Sequence, residues 1–131
     1  MTSTVIRVTM AAIAIAACVW FVADGRAATQ CRDAREAVFA ASLRGPVEDA
    51  AVSRVIDRCG DAEQVAIIAM GLRKTQPQAA ERLAAAAQRA EPDLFSSNAA
   101  LALTASDLQT RRGAWAAAKS ANPRWSAPEP R

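Results

Sequence analysis

The stretch that decides the fold is CRDAREAVFAASLRGPVEDAAVSRVIDRC, residues 31–59, in which two helical patterns flank a glycine–proline break. Cys31 lies fourteen residues before Gly45, and Cys59 lies fourteen residues after it. A chain that reverses at Gly45–Pro46 into two antiparallel helices brings the cysteines together at the open end of the hairpin. The spacing therefore predicts a helical hairpin closed by a disulfide bond, worth roughly 3.5 kcal/mol by loop entropy.

Helix-forming residues dominate the rest of the chain. Of its 131 residues, 52% are hydrophobic, with alanine the commonest, and only 5% are aromatic. β-Branched residues are few beyond residue 23, so little in the sequence favours strands. The composition predicts an all-α fold with a single domain after the apolar N-terminus.

The chain contains no histidine, which argues against catalysis. Histidine is the usual general base and a common metal ligand. Three cysteines do not make an ordinary zinc site when one of them, Cys18, lies in the apolar N-terminus. Basic and acidic residues are interspersed, so no basic stripe indicates nucleic acid. We predict no catalytic residue, metal or cofactor, and no nucleic-acid partner.

Residues 5–23 form an apolar run with the length of a membrane anchor. As a helix, the run is about 28 Å long, just enough to cross the hydrocarbon core of a bilayer. Trp20 and Phe21 fall at its far end, where aromatic residues favour the membrane interface. We predict a single-pass transmembrane segment within residues 1–26, closed by Asp24–Gly25–Arg26.

Two other interpretations of this segment remain open: a signal peptide that is cleaved on export, giving a secreted protein, and a lipoprotein signal at Cys18. The sequence around Ala23 is a poor small-x-small cleavage site. The residues before Cys18 resemble a bacterial lipobox, but those after it are apolar rather than a polar tether. The anchor is therefore favoured over cleavage, and cleavage over lipidation.

The orientation of the anchor is contested by two signals. Arg26, Arg32 and Arg35 follow the apolar run, and this charge bias favours a cytoplasmic domain. A disulfide between Cys31 and Cys59 is expected only where disulfides persist, outside the cytosol. We expect the domain to lie outside the cytoplasm, in a cell envelope.

Breaks at regular positions divide residues 27–123 into six predicted helices. Gly45 ends the first and Pro46 opens the second, while capping boxes start the third at Asp61–Gln64 and the sixth at Ser106–Gln109. Residues 124–131 contain two prolines and little to bury, so we predict a frayed, disordered tail in which Trp125 covers the end of the helices.

The breaks recur with a period of about thirty residues. Pro46 to Pro77 is 31 residues, and Pro92 to Pro123 is also 31. Two helices per repeat at this length are typical of a helical solenoid, in which each hairpin covers its neighbour. The period predicts three stacked antiparallel hairpins.

The last 70 residues resemble the tetratricopeptide repeat. When a repeat ends at Pro123, Phe95, Ala99, Trp115 and Ala118 take the family's bulky, small, bulky and small positions. The resemblance implies a short solenoid whose first helix in each pair lines a groove for a peptide or protein segment. The groove residues that it implies are Asp33, Ala37, Val65, Ala69, Leu72, Arg73, Ser96, Ala100, Leu103 and Thr104.

Together these patterns favour a membrane-anchored, extracytoplasmic protein–protein interaction module, an adaptor or scaffold whose partner is a protein or peptide at the membrane. The alternative is a small accessory subunit of a membrane complex, held by its transmembrane helix, with the helical array as a spacer. An enzyme is a distant third, because no acid, base and nucleophile converge.

Overall fold

The computed structural model describes residues 2–131, with side chains described at residues 9, 10 and 13–131. This part of the chain forms six helices and no strand, which confirms the all-α prediction. The helices are α1 (Thr2–Ser42), α2 (Asp49–Arg58), α3 (Ala62–Leu72), α4 (Pro77–Ala90), α5 (Phe95–Thr104) and α6 (Leu108–Ala121).

The first helix runs without interruption through the segment that was predicted to close the anchor. α1 contains 41 residues and continues past Asp24–Gly25–Arg26. No proline interrupts it, and a single glycine among alanine, arginine and glutamine costs only about 1 kcal/mol of helix propensity. The Thr29 hydroxyl also donates to the Gly25 carbonyl at 2.9 Å. The expected boundary after residue 26 therefore falls inside a helix.

The described side chains in the N-terminal half of α1 are exposed. Every side chain described between residues 9 and 30 is exposed, including those of Trp20 and Phe21, each at 71%. Across the described residues, no helix has a stretch apolar and long enough to span a membrane. Residues 5–8, 11 and 12 of the predicted anchor, Arg7 among them, lie outside the described side chains.

The packed part of the domain is built from three helix pairs. α1 packs against α2, α3 against α4 and α5 against α6, while α5 also contacts both α3 and α4. α5 is the most enclosed helix, being buried continuously from Ser97 to Ala102. The amide of Asn98 donates to the carbonyls of Pro92 (2.6 Å) and Leu94 (3.1 Å), so this buried polar side chain is satisfied.

Gln76 joins the turn after α1 to the turn before α4. Its Nε2 donates to the Gly45 carbonyl at 2.8 Å, and its Oε1 accepts from the Val47 backbone N–H at 3.1 Å. The prediction that Pro46 opens the second helix is wrong, since α2 begins at Asp49. The two bonds to Gln76 hold the intervening residues in a turn.

The cap of α6 also differs from its prediction, whereas Asp61 caps α3 as expected. Asp107, not Ser106, is the N-cap of α6, and its carboxylate accepts from the Thr110 N–H at 2.7 Å. Hydrogen bonds from Thr110 hold the pKa of Asp107 below its usual value. Ser106 donates instead to the Glu81 carboxylate through its N–H and its hydroxyl, both at 3.0 Å. This contact ties the start of α6 to α4.

The C-terminal tail is not frayed. Residues 124–131 lie along α6, three of whose side chains donate hydrogen bonds to tail carbonyls. Pro130 is buried, and the Trp125 ring meets the Phe95 ring edge-on with 5.7 Å between centroids. The prolines keep the tail out of a helix, but its carbonyls remain free to accept hydrogen bonds from a neighbour.

Alanine substitutions at two helical glycines should have different effects on stability. At Gly113 an added Cβ meets no atom within 4 Å, so alanine should raise the free energy of unfolding by about 0.5–1 kcal/mol. At Gly71 the Cβ would stand 2.8 Å from Cζ of Phe39, so the ring must move and the gain should shrink or reverse. Denaturant titration of both variants tests this. Equal gains would show that Phe39 does not rest on Gly71.

Candidate interaction surface

The predicted disulfide is present. The Cys31 and Cys59 sulfurs are 2.03 Å apart, which confirms the pairing inferred from their spacing. The bond joins the middle of α1 to the residue that caps the C-terminus of α2. Cys59 is buried and Cys31 half-buried, whereas Cys18 is a free, exposed cysteine. The covalent link therefore fixes the open end of the first helix pair.

A cleft of about 500 Å³ lies beside the disulfide, between α1 and the α2–α3 connection. Its charged lining residues are Arg32, Arg35 and Arg58, opposed by Asp24 and Asp61. Three guanidinium groups against two carboxylates leave the cleft with a net positive charge.

A partly apolar surface continues from this cleft along α3. Gln64 borders the cleft, and Gly71 lies against the Phe39 ring of α1. These two positions are seven residues apart, so they share a face of α3 with Ile67, which is 54% exposed. We call Arg35, Phe39, Gln64, Ile67 and Gly71 the α1–α3 surface.

Four of the predicted groove residues are buried in the core. Val65, Ala69 and Leu72 form the stripe of α3 next to the exposed one, and Ala100 lies in the enclosed part of α5. On α3 the accessible positions are instead Gln64, Ile67 and Gly71, each one residue before a buried position and therefore about 100° away from it around the helix.

Two more predicted residues, Asp33 and Ala37, are exposed but lie on another side of α1. They border a separate cleft of about 250 Å³ with Arg54 and Arg58 of α2. Phe39, by contrast, projects toward α3. The first helix therefore presents a different face to α3 than the repeat pattern implied.

The remaining predicted groove residues keep some accessibility. Arg73 is exposed, Leu103 is 41% exposed, and Ser96 and Thr104 are half-buried. The Thr104 hydroxyl donates to the Ala100 carbonyl at 2.8 Å within its own helix. Ser96 and Leu103 are seven residues apart and share one face of α5, so this part of the prediction is compatible with a binding surface.

Sequence reasoning missed Ile67 and Phe39 as surface residues. A signal for Ile67 existed, because residues 65–69 are all apolar and one buried stripe of a helix cannot include every one of them. Phe39 had no comparable signal, since its exposure depends on how closely α1 approaches Gly71.

The α1–α3 surface combines apolar and polar side chains. Its apolar groups are flanked by a guanidinium and an amide, which are common at the polar rim of protein interfaces. Within the described residues, no three cysteine, aspartate or glutamate side chains are grouped closely enough to hold a metal ion.

The sequence matches no family model, and no significant similarity to a curated protein or a solved structure was found. Any functional assignment therefore rests on the surfaces of the chain itself.

Removing the disulfide should destabilise the domain strongly. The double substitution Cys31→Ser/Cys59→Ser should lower the free energy of unfolding by about 3.5 kcal/mol, because the unfolded chain loses its 28-residue crosslink. Cys18→Ser is the matched control and should change nothing, since Cys18 is exposed and free. Urea titration measures both effects, and non-reducing mass spectrometry of native protein tests the bond. Two free thiols in native protein would contradict the assignment.

Proposed function

We propose that this protein is a membrane-anchored interaction module whose helical domain lies outside the cytoplasm and binds a protein or peptide segment through its α1–α3 surface. The observation that carries the proposal is the continuity of α1. One helix supplies both the exposed apolar N-terminal half and, from Cys31 onward, one wall of the packed, disulfide-bonded domain. The module is proposed to be non-catalytic and to need no cofactor.

The exposed half of α1 supports the membrane anchor. Its described large apolar side chains are 55–71% exposed. Apolar groups that surround a helix on all sides favour a hydrocarbon environment. The seven described ones are Met10, Ile13, Ile15, Val19, Trp20, Phe21 and Val22.

The disulfide supports an extracytoplasmic domain, because such bonds persist in oxidising compartments. The arginines after the apolar run still oppose this orientation, since the charge bias counts arginine and lysine whatever acidic residues lie nearby. We give the disulfide more weight, because it is present in the structure.

A tetratricopeptide-like arrangement is part of the proposal. It is supported by the packing of α5 against both helices of the α3–α4 pair, as each repeat of a solenoid packs on its neighbour. In such an array the first helices of successive pairs form the binding face, and α1 and α3 are two of these.

The alternative remains an accessory subunit held by its transmembrane helix. The observation that favours it is the exposure of apolar side chains around the whole circumference of α1, which suits contact with other helices in a membrane complex. Deleting the anchor distinguishes the two functions. A groove binder still captures its partner as a soluble fragment, whereas a subunit held by its membrane helix does not.

A photo-crosslinking amino acid at position 67 should capture the partner in intact membranes, because Ile67 is exposed at the centre of the α1–α3 surface. The same group at Ala117, an exposed position on α6, is the matched control and should give no product of that mass. With the crosslinker moved to Gln64 on the same surface, Ile67→Glu should abolish capture and change the free energy of unfolding by less than about 0.5 kcal/mol, as is usual for surface positions. Equal products from both positions would contradict the assignment.

Protease treatment of intact cells should degrade the helical domain while leaving the segment up to about residue 23 attached to the membrane, because an extracytoplasmic domain is accessible from outside. Mass spectrometry of the products identifies the surviving segment. Protection of the domain would place it in the cytoplasm, and a mature N-terminus near Thr29 would show that the segment is a cleaved signal.

A further inference from the structure

We infer that the face of α6 carrying Arg112, Trp115 and Lys119 is a second binding surface, which takes a non-helical, proline-containing segment of a partner protein. In this structure the protein's own C-terminal tail occupies it. The inference does not depend on the α1–α3 surface or on the anchor, since none of its residues belongs to either.

Three donors on one face of α6 contact the tail. Arg112 Nε donates to the Pro130 carbonyl at 3.1 Å, Trp115 Nε1 to the Ala127 carbonyl at 3.0 Å, and Lys119 Nζ to the Trp125 carbonyl at 2.6 Å. The donors follow one another at spacings of three and four residues, which places them in one row along the helix. Donors later in α6 pair with carbonyls earlier in the tail, so the tail runs antiparallel to α6.

All three hydrogen bonds use backbone carbonyls of the tail and none of its side chains. The row of donors therefore recognises a backbone whose carbonyls are free, which requires a segment outside any helix or sheet. Proline-rich segments have this property, since they form extended chains without internal hydrogen bonds. Aromatic-lined grooves bind proline-rich peptides in other proteins. The indole N–H of Trp115, which donates to a tail carbonyl, is the kind of group that lines such grooves.

Two side chains of the tail define what else the surface accepts. The Trp125 ring packs edge-on against Phe95 at the start of α5, and Pro130 is buried five residues later. The surface thus fits a segment with an aromatic residue and a proline five positions later.

Most of the tail is accessible to solvent, although Trp125 packs against the core. Of the tail residues, only Pro130 is buried, while Trp125 and Ala127 are half-buried and Ser126, Pro128 and Glu129 are exposed. Segments with few buried contacts open at low free-energy cost. A partner's segment must still compete with a tethered tail, whose effective concentration is on the order of millimolar.

The test uses the full-length chain in detergent micelles and a fluorescently labelled peptide of residues 123–131. Trp125→Ala loosens the tail without altering any donor on α6, so this variant should bind the peptide at least about tenfold more tightly than the unaltered chain does, as release of a tethered competitor predicts. Fluorescence anisotropy measures the affinity. Trp20→Ala, at an exposed tryptophan far from α6, is the control and should bind like the unaltered chain.

The donors are tested in the Trp125→Ala background. Adding Trp115→Phe or Lys119→Met should weaken peptide binding roughly fivefold each, the value of one hydrogen bond of about 1 kcal/mol. Lys74→Met, at the chain's other lysine, should leave binding unchanged.

Several results would overturn the inference. One is the absence of saturable binding up to about 1 mM, a concentration comparable to that of a tethered tail. Another is equal binding of a scrambled peptide. Loss of cooperative unfolding in Trp125→Ala would show that the tail is a permanent part of the core. A dimer of the unaltered chain that dissociates on Trp125→Ala would assign the surface to the tail of a second copy instead.

Discussion

The structure depends on holding α2 in place, because α2 has little apolar surface with which to hold itself. α2 buries only Val52 and Val55 within its ten residues, which is a small hydrophobic contribution for a helix. The disulfide at Cys59 fixes its end to α1, while the hydrogen bonds of Gln76 fix the turn that precedes it. A covalent bond at one end and a pair of hydrogen bonds at the other compensate for the thin interface.

The rest of the core also buries little apolar area per residue. Most buried side chains are alanines, and the large ones that are fully enclosed are few, such as Ile68, Leu72 and Leu83. Alanine faces let helices approach closely but bury little area per residue. Polar links between elements therefore matter more than usual, among them Ser106 to Glu81 and the ion pair of Arg82 with Asp49. Residues at the edges, such as Trp115 and Trp125, supply aromatic area that the centre lacks.

The all-α class, the disulfide and most helix ends could be predicted, because each depends on local sequence. Proline and glycine stop helices wherever they occur, and the cysteine spacing needs only one reversal of the chain. The cap of α6 could not be predicted, since Ser106 and Asp107 are both good caps and the choice depends on Glu81, a residue 25 positions away. The order of the tail depends similarly on donors from α6. Local composition carries no information about such partners.

The candidate surfaces were harder to predict for a geometric reason. Successive residues of an α-helix are turned by about 100° around its axis. A register error of one position therefore replaces an exposed stripe by a buried one. This explains why Val65 and Ala69 are buried while Ile67, in the same apolar run, is exposed. Leu103 is 41% exposed although α5 is enclosed on almost every side. Surface predictions from a repeat pattern are therefore least reliable on helices with two neighbouring apolar stripes.

The continuity of α1 has a mechanical consequence for the proposed anchor. Cys31 lies eight residues beyond Ala23, so the disulfide stands about 12 Å along the helix from the end of the apolar run. A flexible linker would let the domain rotate freely above a bilayer, whereas a helix without a break transmits the orientation of the anchor to the domain.

With the apolar run in a membrane, the arginine-lined cleft would lie next to the lipid headgroups. The α1–α3 surface begins at that cleft, because Arg35 and Gln64 border it. A partner bound there would be held at a fixed distance from the membrane, which favours a partner that is itself at the membrane over one that diffuses freely.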